Sequence, residues 1–324
     1  MIILFTALLA CMSGSPQSID DSKAGIPIRI GWQTTWATQG QLSVLLQQHD
    51  WLAKHGFKAT FVGFSYGGPL NEGALAGEVD VLFTADQPAL VLCQKDTNWG
   101  AIGRLMYNRV GTLVPQNSPV IDATELKEAN VAIPVGAAAH RETLSAIQPN
   151  VDKPLRIYNM GVQEIAALVS RGENNGKWGE IDAVSAWDPV LAELEINHNA
   201  RVVDYGQVTS LIMMSDRFSM SHPKSAAQFM RAFNSAYLAY QEDPSAANSA
   251  FLEHSQLSIS EKALSLASDI EPNLKEGADI RTTLNQADIT ALQRASDFMS
   301  EVQILKSPLI ATDCIRPIAT QGLQ

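Results

Sequence analysis

Several short stretches of this chain gather hydrogen-bond donors, glycines and isolated charges in ways that suit binding of a small solute. Gln33-Thr34-Thr35-Trp36 offers an amide, hydroxyls and an indole N–H, all able to donate. Ser65-Tyr66-Gly67-Gly68-Pro69 adds a hydroxyl and glycines that let backbone approach a ligand closely. Its proline suits the first turn of a helix, whose free N–H groups would favour an anion. Thr84-Ala85-Asp86-Gln87 sets a hydroxyl beside a carboxylate. Gly136-Ala137-Ala138-Ala139-His140-Arg141 leaves backbone amides open behind small side chains, and His140 and Arg141 add positive charge. Trp187-Asp188-Pro189 joins another indole to another carboxylate. The chemistry is recognition by amides, hydroxyls and helix dipoles rather than bond making. Asp86 and Asp188 would repel a bare anion, so at least one is expected to hold a cationic or hydroxyl end of the ligand. Each stretch alone has a plainer role. Gly-Gly-Pro is ordinary turn punctuation, the aspartates suit helix N-caps, Trp187 suits a core, and Arg141 suits a solvated helix face.

One pattern points to a different chemistry. Gly63-Phe64-Ser65-Tyr66-Gly67 matches G-x-S-x-G between a strand and a helix, the setting of a hydrolase nucleophile. Ser65 would attack, His222 or His254 would supply the base, and Asp182 or Asp204 would orient it. Against this, few strands precede the motif and no HGGG-like oxyanion loop lies upstream.

The elements that would position these stretches alternate strand and helix. Ile26 to Trp32, Ala59 to Phe64 and Val79 to Thr84 read as strands. Gln41 to His55, a segment opening at Pro69 and Pro88 to Gln94 read as the helices between and after them. Two further strands follow, Ala101 to Met106 and Thr112 to Pro115. A second series starts at Val131 to Pro134, with a helix at Ala138 to Ile147. It continues through Leu155 to Tyr158, Val162 to Ser170, Ile181 to Val184 and Val190 to Leu194. Short strands at Arg201 to Tyr205 and Leu211 to Met214 end it, and the chain beyond Asp216 reads as helical. Phe229, Phe233, Tyr237 and Tyr240 recur at helical spacing and read as core. The expected fold is α/β, with mostly parallel strands in two lobes and the chain crossing between them twice. Residues 26–115 with 209–324 would form lobe one and residues 116–208 lobe two. A ligand would bind in the cleft, at strand C-terminal ends.

Composition narrows the function class. Over 324 residues, 46% are hydrophobic and 18% charged, as in ordinary globular chains. A net charge of -11 without a basic run argues against a nucleic-acid binder. The cysteines, Cys11, Cys93 and Cys314, show no CxxC spacing, so neither metal nor cofactor is expected. Cys93 and Cys314 read as two buried thiols rather than a disulfide. The opening MIILFTALLA is too short to span a bilayer and reads as a secretory signal without its basic leader. Leu8-Leu9-Ala10-Cys11 looks like a lipobox, which would place the protein in the periplasm or at the cell surface, tethered through lipidated Cys11.

From about Ile28 to Met214 the chain resembles the nitrate/sulfonate/taurine-type periplasmic binding proteins of ABC importers. The resemblance rests on IRIGWQ, FSYGGPLNEGALAGEVDVLFTADQP, VGAAAH and GEIDAVSAWDPVLAELE. The family's T-G-D-x-P carries Ala85 here in place of its glycine, and its G-S-x-A-H loop keeps Gly136 and His140 but has Ala137 and Ala138. The resemblance implies the two-lobed type II binding-protein fold, a small anion or zwitterion as ligand, a membrane ABC permease as partner, and a monomer. Carried over by position, the implied contacts are Gln33, Thr34, Ser65, Gly67, Gly68, Thr84, Asp86, Gly136, His140, Trp187 and Asp188, to which the indole of Trp36 is added. Relatives of this fold also bind pyrimidine precursors of thiamine, an alternative that stacking aromatics would suit.

Overall fold

The computed structural model describes residues 25–147, 155–197, 200–255, 257–316 and 318. Cys11 lies outside them. Strand β1 (Ile26–Gln33) buries Ile28 and Ile30 while Arg29 points outward and pairs with Asp80 at 2.7 Å. That alternation is the period of a pleated strand. β1 lies parallel to both β2 (Phe57–Phe64) and β3 (Val81–Thr84). The helices of this half are α1 (Gln39–Gln48), α2 (Trp51–Lys54), α3 (Gly67–Leu75) and α4 (Asp86–Lys95). The single helix expected from Gln41 to His55 is divided, because His49 turns to extended backbone and stacks on Trp51. α3 begins two residues before Pro69, at Gly67 itself.

The next strand is where the sequence reading and the structure part. β4 runs unbroken over Trp99–Pro115, and its partner β8 over Ala200–Ser215. Each had been expected as two short strands. Their middles carry Asn108 and Arg109, and Gly206 and Gln207, which interrupt the apolar pattern. The antiparallel ladder nonetheless continues from Trp99↔Ser215 to Pro115↔Ala200.

Between them come β5 (Asn130–Ile133), α5 (Ala138–Ile147), β6 (Arg156–Asn159), α6 (Val162–Ser170), β7 (Ala183–Trp187) and α7 (Val190–Ile196). The sheet has 8 strands in the order β2-β1-β3-β8-β4-β7-β5-β6. β8 is antiparallel to β3 and β4, and β7 is antiparallel to β4. The two parallel groups therefore run in opposite senses, and their C-terminal ends face each other. Thr84 ends β3 level with Leu211 and Arg104, while Trp187 ends β7 level with Val110. The stretch of β4 between Arg104 and Val110 spans about 20 Å at strand rise.

The C-terminal part is helical, as expected: α8 (Asp216–Ser221), α9 (Ser225–Glu242), α10 (Pro244–His254), α11 (Glu261–Ser268) and α12 (Gln286–Glu301). Phe229, Phe233, Tyr237 and Tyr240 of α9 are fully buried in the main core. A buried ion pair ties this part to β4. Arg104 donates through both Nη atoms to Glu271, at 2.7 and 2.8 Å, and Glu271 also accepts from the Tyr107 amide. The Tyr107 hydroxyl bonds Asp288, which Arg281 pairs at 2.6 Å.

Cys93 of α4 and Cys314 form a disulfide, which corrects the reading of them as separate thiols. Spacing could not show it, since 221 residues separate them and only the packing of the C-terminal segment on α4 brings them together. A cross-link closing so long a loop restricts the unfolded chain strongly. Reduction, or Cys314→Ser, is expected to lower stability by about 2–5 kcal/mol, read as a fall in the urea midpoint with the native fluorescence spectrum retained.

Candidate functional site

The converging strand ends surround a small, partly open cavity. Gln33 enters from the end of β1, Trp36 from the loop after it, and Gly67 from the start of α3. Ala85 and Pro88 line it at the head of α4, and Asn108 and Val110 from the middle of β4. From the other parallel group come Ala137, Ala138 and Ala139 at the head of α5, with Trp187 at the end of β7. Both parallel groups thus contribute walls.

Local packing explains several of these positions. A Cβ on Gly67 would stand 2.6 Å from Pro88 Cγ, so only glycine lets α3 and α4 meet this closely. Gly136 sits at φ +92, a conformation that costs glycine little and ahead of which Ala137 can begin the turn into α5. The Gln39 side-chain amide bonds both the N–H and the carbonyl of Gln33, at 2.7 and 3.1 Å, and so holds the end of β1 in place. Gln33 Nε2 donates to the Phe83 carbonyl at 3.2 Å. Asn108 Oδ1 accepts from the Ser210 hydroxyl at 2.9 Å.

Two buried side-chain donors at these strand ends, one on the lining residue Trp36 and one on Thr84, lack partners. Trp36 is 2% exposed, and its Nε1 has no acceptor in the protein. Thr84 is fully buried, and its Oγ1 also has none. That hydroxyl lies 3.7 Å from the place a Cβ on Gly67 would take. An indole N–H left unsatisfied in the interior costs free energy that a ligand oxygen would recover. The first-turn amides of α3 and α5 have no carbonyl partner within their own helices, and the positive ends of both dipoles meet at the cavity from opposite sides.

The acidic residues are not bare. Asp86 Oδ2 accepts from Arg141 Nη2 at 2.7 Å, and Asp86 Oδ1 accepts from the Gln87 amide at 2.6 Å. Asp188 is held by both Arg109 Nε and Nη2, at 2.8 and 3.0 Å, and by the Ala192 amide at 3.1 Å. Burial pushes the Asp188 carboxyl above its ordinary range, and the Arg109 fork opposes that. The expected repulsion of an anion assumed free carboxylates, and each of these carries a guanidinium. Positive charge at His140 is likewise not supplied: burial lowers its pKa, so the imidazole is neutral near pH 7.

The remaining positions are spread around the cavity. Among the expected contacts, Gln33, Trp36, Gly67 and Trp187 line it. Thr34 is half-buried and donates to the Phe64 carbonyl at 3.4 Å, Ser65 is exposed, and Gly68 packs under the Tyr66 ring. Thr84, Asp86, Gly136, His140 and Asp188 are not among the residues that line the cavity. Asn108, Val110 and Pro88 were missed. The signal for Asn108 was present as a polar break inside an apolar strand. Cross-cavity bonds join the halves: Trp187 Nε1 donates to the Thr35 carbonyl at 3.3 Å, and the Ala37 amide to the Asp188 carbonyl at 3.2 Å.

The hydrolase arrangement is not assembled. β8 is antiparallel to β3, so α8 and His222 leave the sheet at the edge opposite Ser65. His222 Nδ1 and His254 Nδ1 are each engaged with the carbonyl one turn back, at 3.2 and 2.8 Å. Asp182 pairs with Lys177 at 2.6 Å and accepts from the Asn130 amide.

No family model matches the chain. A Bacillus subtilis (strain 168) protein named "Putative aliphatic sulfonates-binding protein" is 24% identical over 97% of this chain and 93% of its own length. The alkanesulfonate-binding protein SsuA of Xanthomonas axonopodis pv. citri, solved with MOPS, superposes with a TM-score of 0.73 at 18% identity, over 90% of this chain and 98% of that one. The periplasmic aliphatic sulphonate binding protein SsuA of Escherichia coli gives 0.70 at 18%, over 92% and 94%. The chain therefore has the periplasmic binding-protein fold. That fold also carries catalysis, since the desulfurization enzyme DszB superposes at a TM-score of 0.59 and 14% identity.

Two outcomes are expected from the charges described. Arg109→Met leaves the Asp188 carboxylate, 1% exposed, without its partner, and should cost about 3–5 kcal/mol in urea unfolding, most of it recovered by adding Asp188→Asn. His140 takes a proton less readily folded than unfolded, so it makes stability fall as pH drops below about 6.5. His140→Gln should flatten the difference in unfolding free energy between pH 7.5 and pH 5.

Proposed function

We propose that this protein is the extracytoplasmic solute-binding component of an ABC importer and that it binds an organosulfonate with an apolar body. The observation that carries this reading is the unpartnered Trp36 indole N–H, buried in a cavity whose walls offer donors and no unpaired carboxylate. A sulfonate presents oxygens in a tetrahedral array. Trp36 Nε1, Thr84 Oγ1 and the first-turn amides of α3 and α5 can each take one. The indoles of Trp36 and Trp187, with Pro88, Val110 and the alanines, suit the carbon portion. The sulfonate-binding names of the relatives point the same way.

In this reading the two parallel groups are the two lobes. They meet within β4 and β8, at the level of the Asn108–Val208 pair. Ligand that bonds both α3 and α5 stabilises the closed arrangement of the lobes more than an open one, and that difference drives closure. The closed form is what a membrane permease would recognise. Among the described residues no helix is long and apolar enough to cross a membrane. We place the protein outside the cytoplasmic membrane, held by lipid on Cys11 and tethered through the polar stretch that follows it.

Calorimetry with ethanesulfonate, longer alkanesulfonates, nitrate and a pyrimidine panel tests the ligand class. Alkanesulfonates should bind, and Trp36→Phe should weaken them about tenfold to a hundredfold, the worth of one hydrogen bond to a charged group. Pyrimidine binding without sulfonate binding would overturn the assignment.

A further inference from the structure

We propose that Arg141 sets which sulfonates the cleft accepts, by masking Asp86. This inference rests on the sulfonate reading above. Asp86 opens α4 directly after Ala85, and Arg141 lies two residues beyond Ala139, past His140, in the first turn of α5. Those alanines line the cavity, so the Asp86–Arg141 pair stands immediately behind its wall. The pair crosses from one parallel group to the other. The side chains of Asp86 and Arg141 are only 5% and 9% exposed, at a separation of 2.7 Å.

Each oxygen of Asp86 is occupied, Oδ2 by the guanidinium and Oδ1 by the Gln87 amide. No other carboxylate is free to meet a ligand there, because Asp188 is held by Arg109. Arg141 also reaches Glu142, at 2.7 Å, whose carboxyl lies against Gly206 of β8, while Asp86 adjoins the wall residue Ala85. With the guanidinium present, a ligand meets a neutral pair at the head of α4. Without it, a ligand would meet a buried negative charge, which repels a plain sulfonate and attracts an ammonium group. Arg141 is thus a specificity-determining residue that acts through Asp86. It makes the cleft accept sulfonates with an uncharged carbon body and refuse amino-sulfonates.

The test compares ethanesulfonate with taurine (2-aminoethanesulfonate), which differ by one ammonium group. Both are titrated by calorimetry into the full chain as wild type, Arg141→Met, Asp86→Asn and the double variant. The wild type should prefer ethanesulfonate by at least about tenfold. Arg141→Met should move the ratio of the two dissociation constants toward taurine by about tenfold or more. Asp86→Asn, which leaves the guanidinium unmasked, should move it the opposite way, and the double variant should return near the wild-type ratio. The ratio does not respond to a general loss of stability. If Arg141→Met does not fold, Asp86→Asn is nearly isosteric and decides the matter by its direction alone. Sulfonate binding with an unmoved ratio in the folded single variants overturns this inference and leaves the functional reading intact. Failure of every form to bind any sulfonate overturns both.

Discussion

The ladder between β4 and β8 is the constraint on which the rest of the structure depends. Two groups of parallel strands point toward each other, and only strands that belong to both groups can join them without an exposed edge between. β4 pairs with β8 along its whole length and with β7 over its second half, while β8 also pairs with β3. Every element that contributes to the cavity is placed relative to this ribbon. The strand ends face each other over its middle, so Asn108 and Val110 there line the cavity. That accounts for Asn108 beside Val110, one polar and one apolar wall residue on the same strand.

Arginines then fix the segments that the ribbon alone does not. Arg104 draws the Glu271 turn onto β4, and with it the helical C-terminal part. Arg109 holds Asp188 at the end of β7, and Arg141 joins α5 to α4. Burying such charges is unfavourable unless each meets a well-placed partner, so a buried pair contributes more to the choice of one arrangement than to net stability. The bidentate geometry at Glu271 and Asp188 suits a planar guanidinium and would not be reproduced by lysine. The cross-links therefore act where alternative packings of the strand-end loops would otherwise compete.

Much of the fold was legible in the sequence because its elements follow simple periods. The strands β1, β3, β5 and β7 and the helices at Ala138–Ile147 and Val162–Ser170 show apolar patterns that match their burial. The two long strands were not legible as single elements. Asn108-Arg109 and Gly206-Gln207 look like loops when burial is assumed to be uniform along a strand. Asn108 is polar where it lines the cavity and Arg109 where it reaches Asp188, so the local rule failed at the place where function displaces packing. The site was legible as a set of strand-end loops, and Gln33, Trp36, Gly67 and Trp187 line the cavity. Which charges were spoken for was not legible. Asp188 and Arg109 are 79 residues apart, and Asp86 and Arg141 are 55 apart, so their pairing is a property of the assembled sheet. The disulfide escaped for the same reason.

A chain with a net charge of -11 is an unpromising anion binder only if its charges act at long range. At physiological ionic strength exposed charges are screened within about 8 Å, while groups behind a dry wall are screened far less. The cavity is governed by what lies next to it. There, Asp86 and Asp188 are cancelled by guanidiniums, and what remains uncancelled are the indole N–H of Trp36 and the open ends of α3 and α5. Partial positive charges fixed by the backbone need no counter-ion and do not reorganise when a ligand arrives. Neutral donors also bind an anion without the heavy desolvation of a free lysine or arginine. An acidic surface can keep such a protein soluble while its cleft remains locally receptive to an anion.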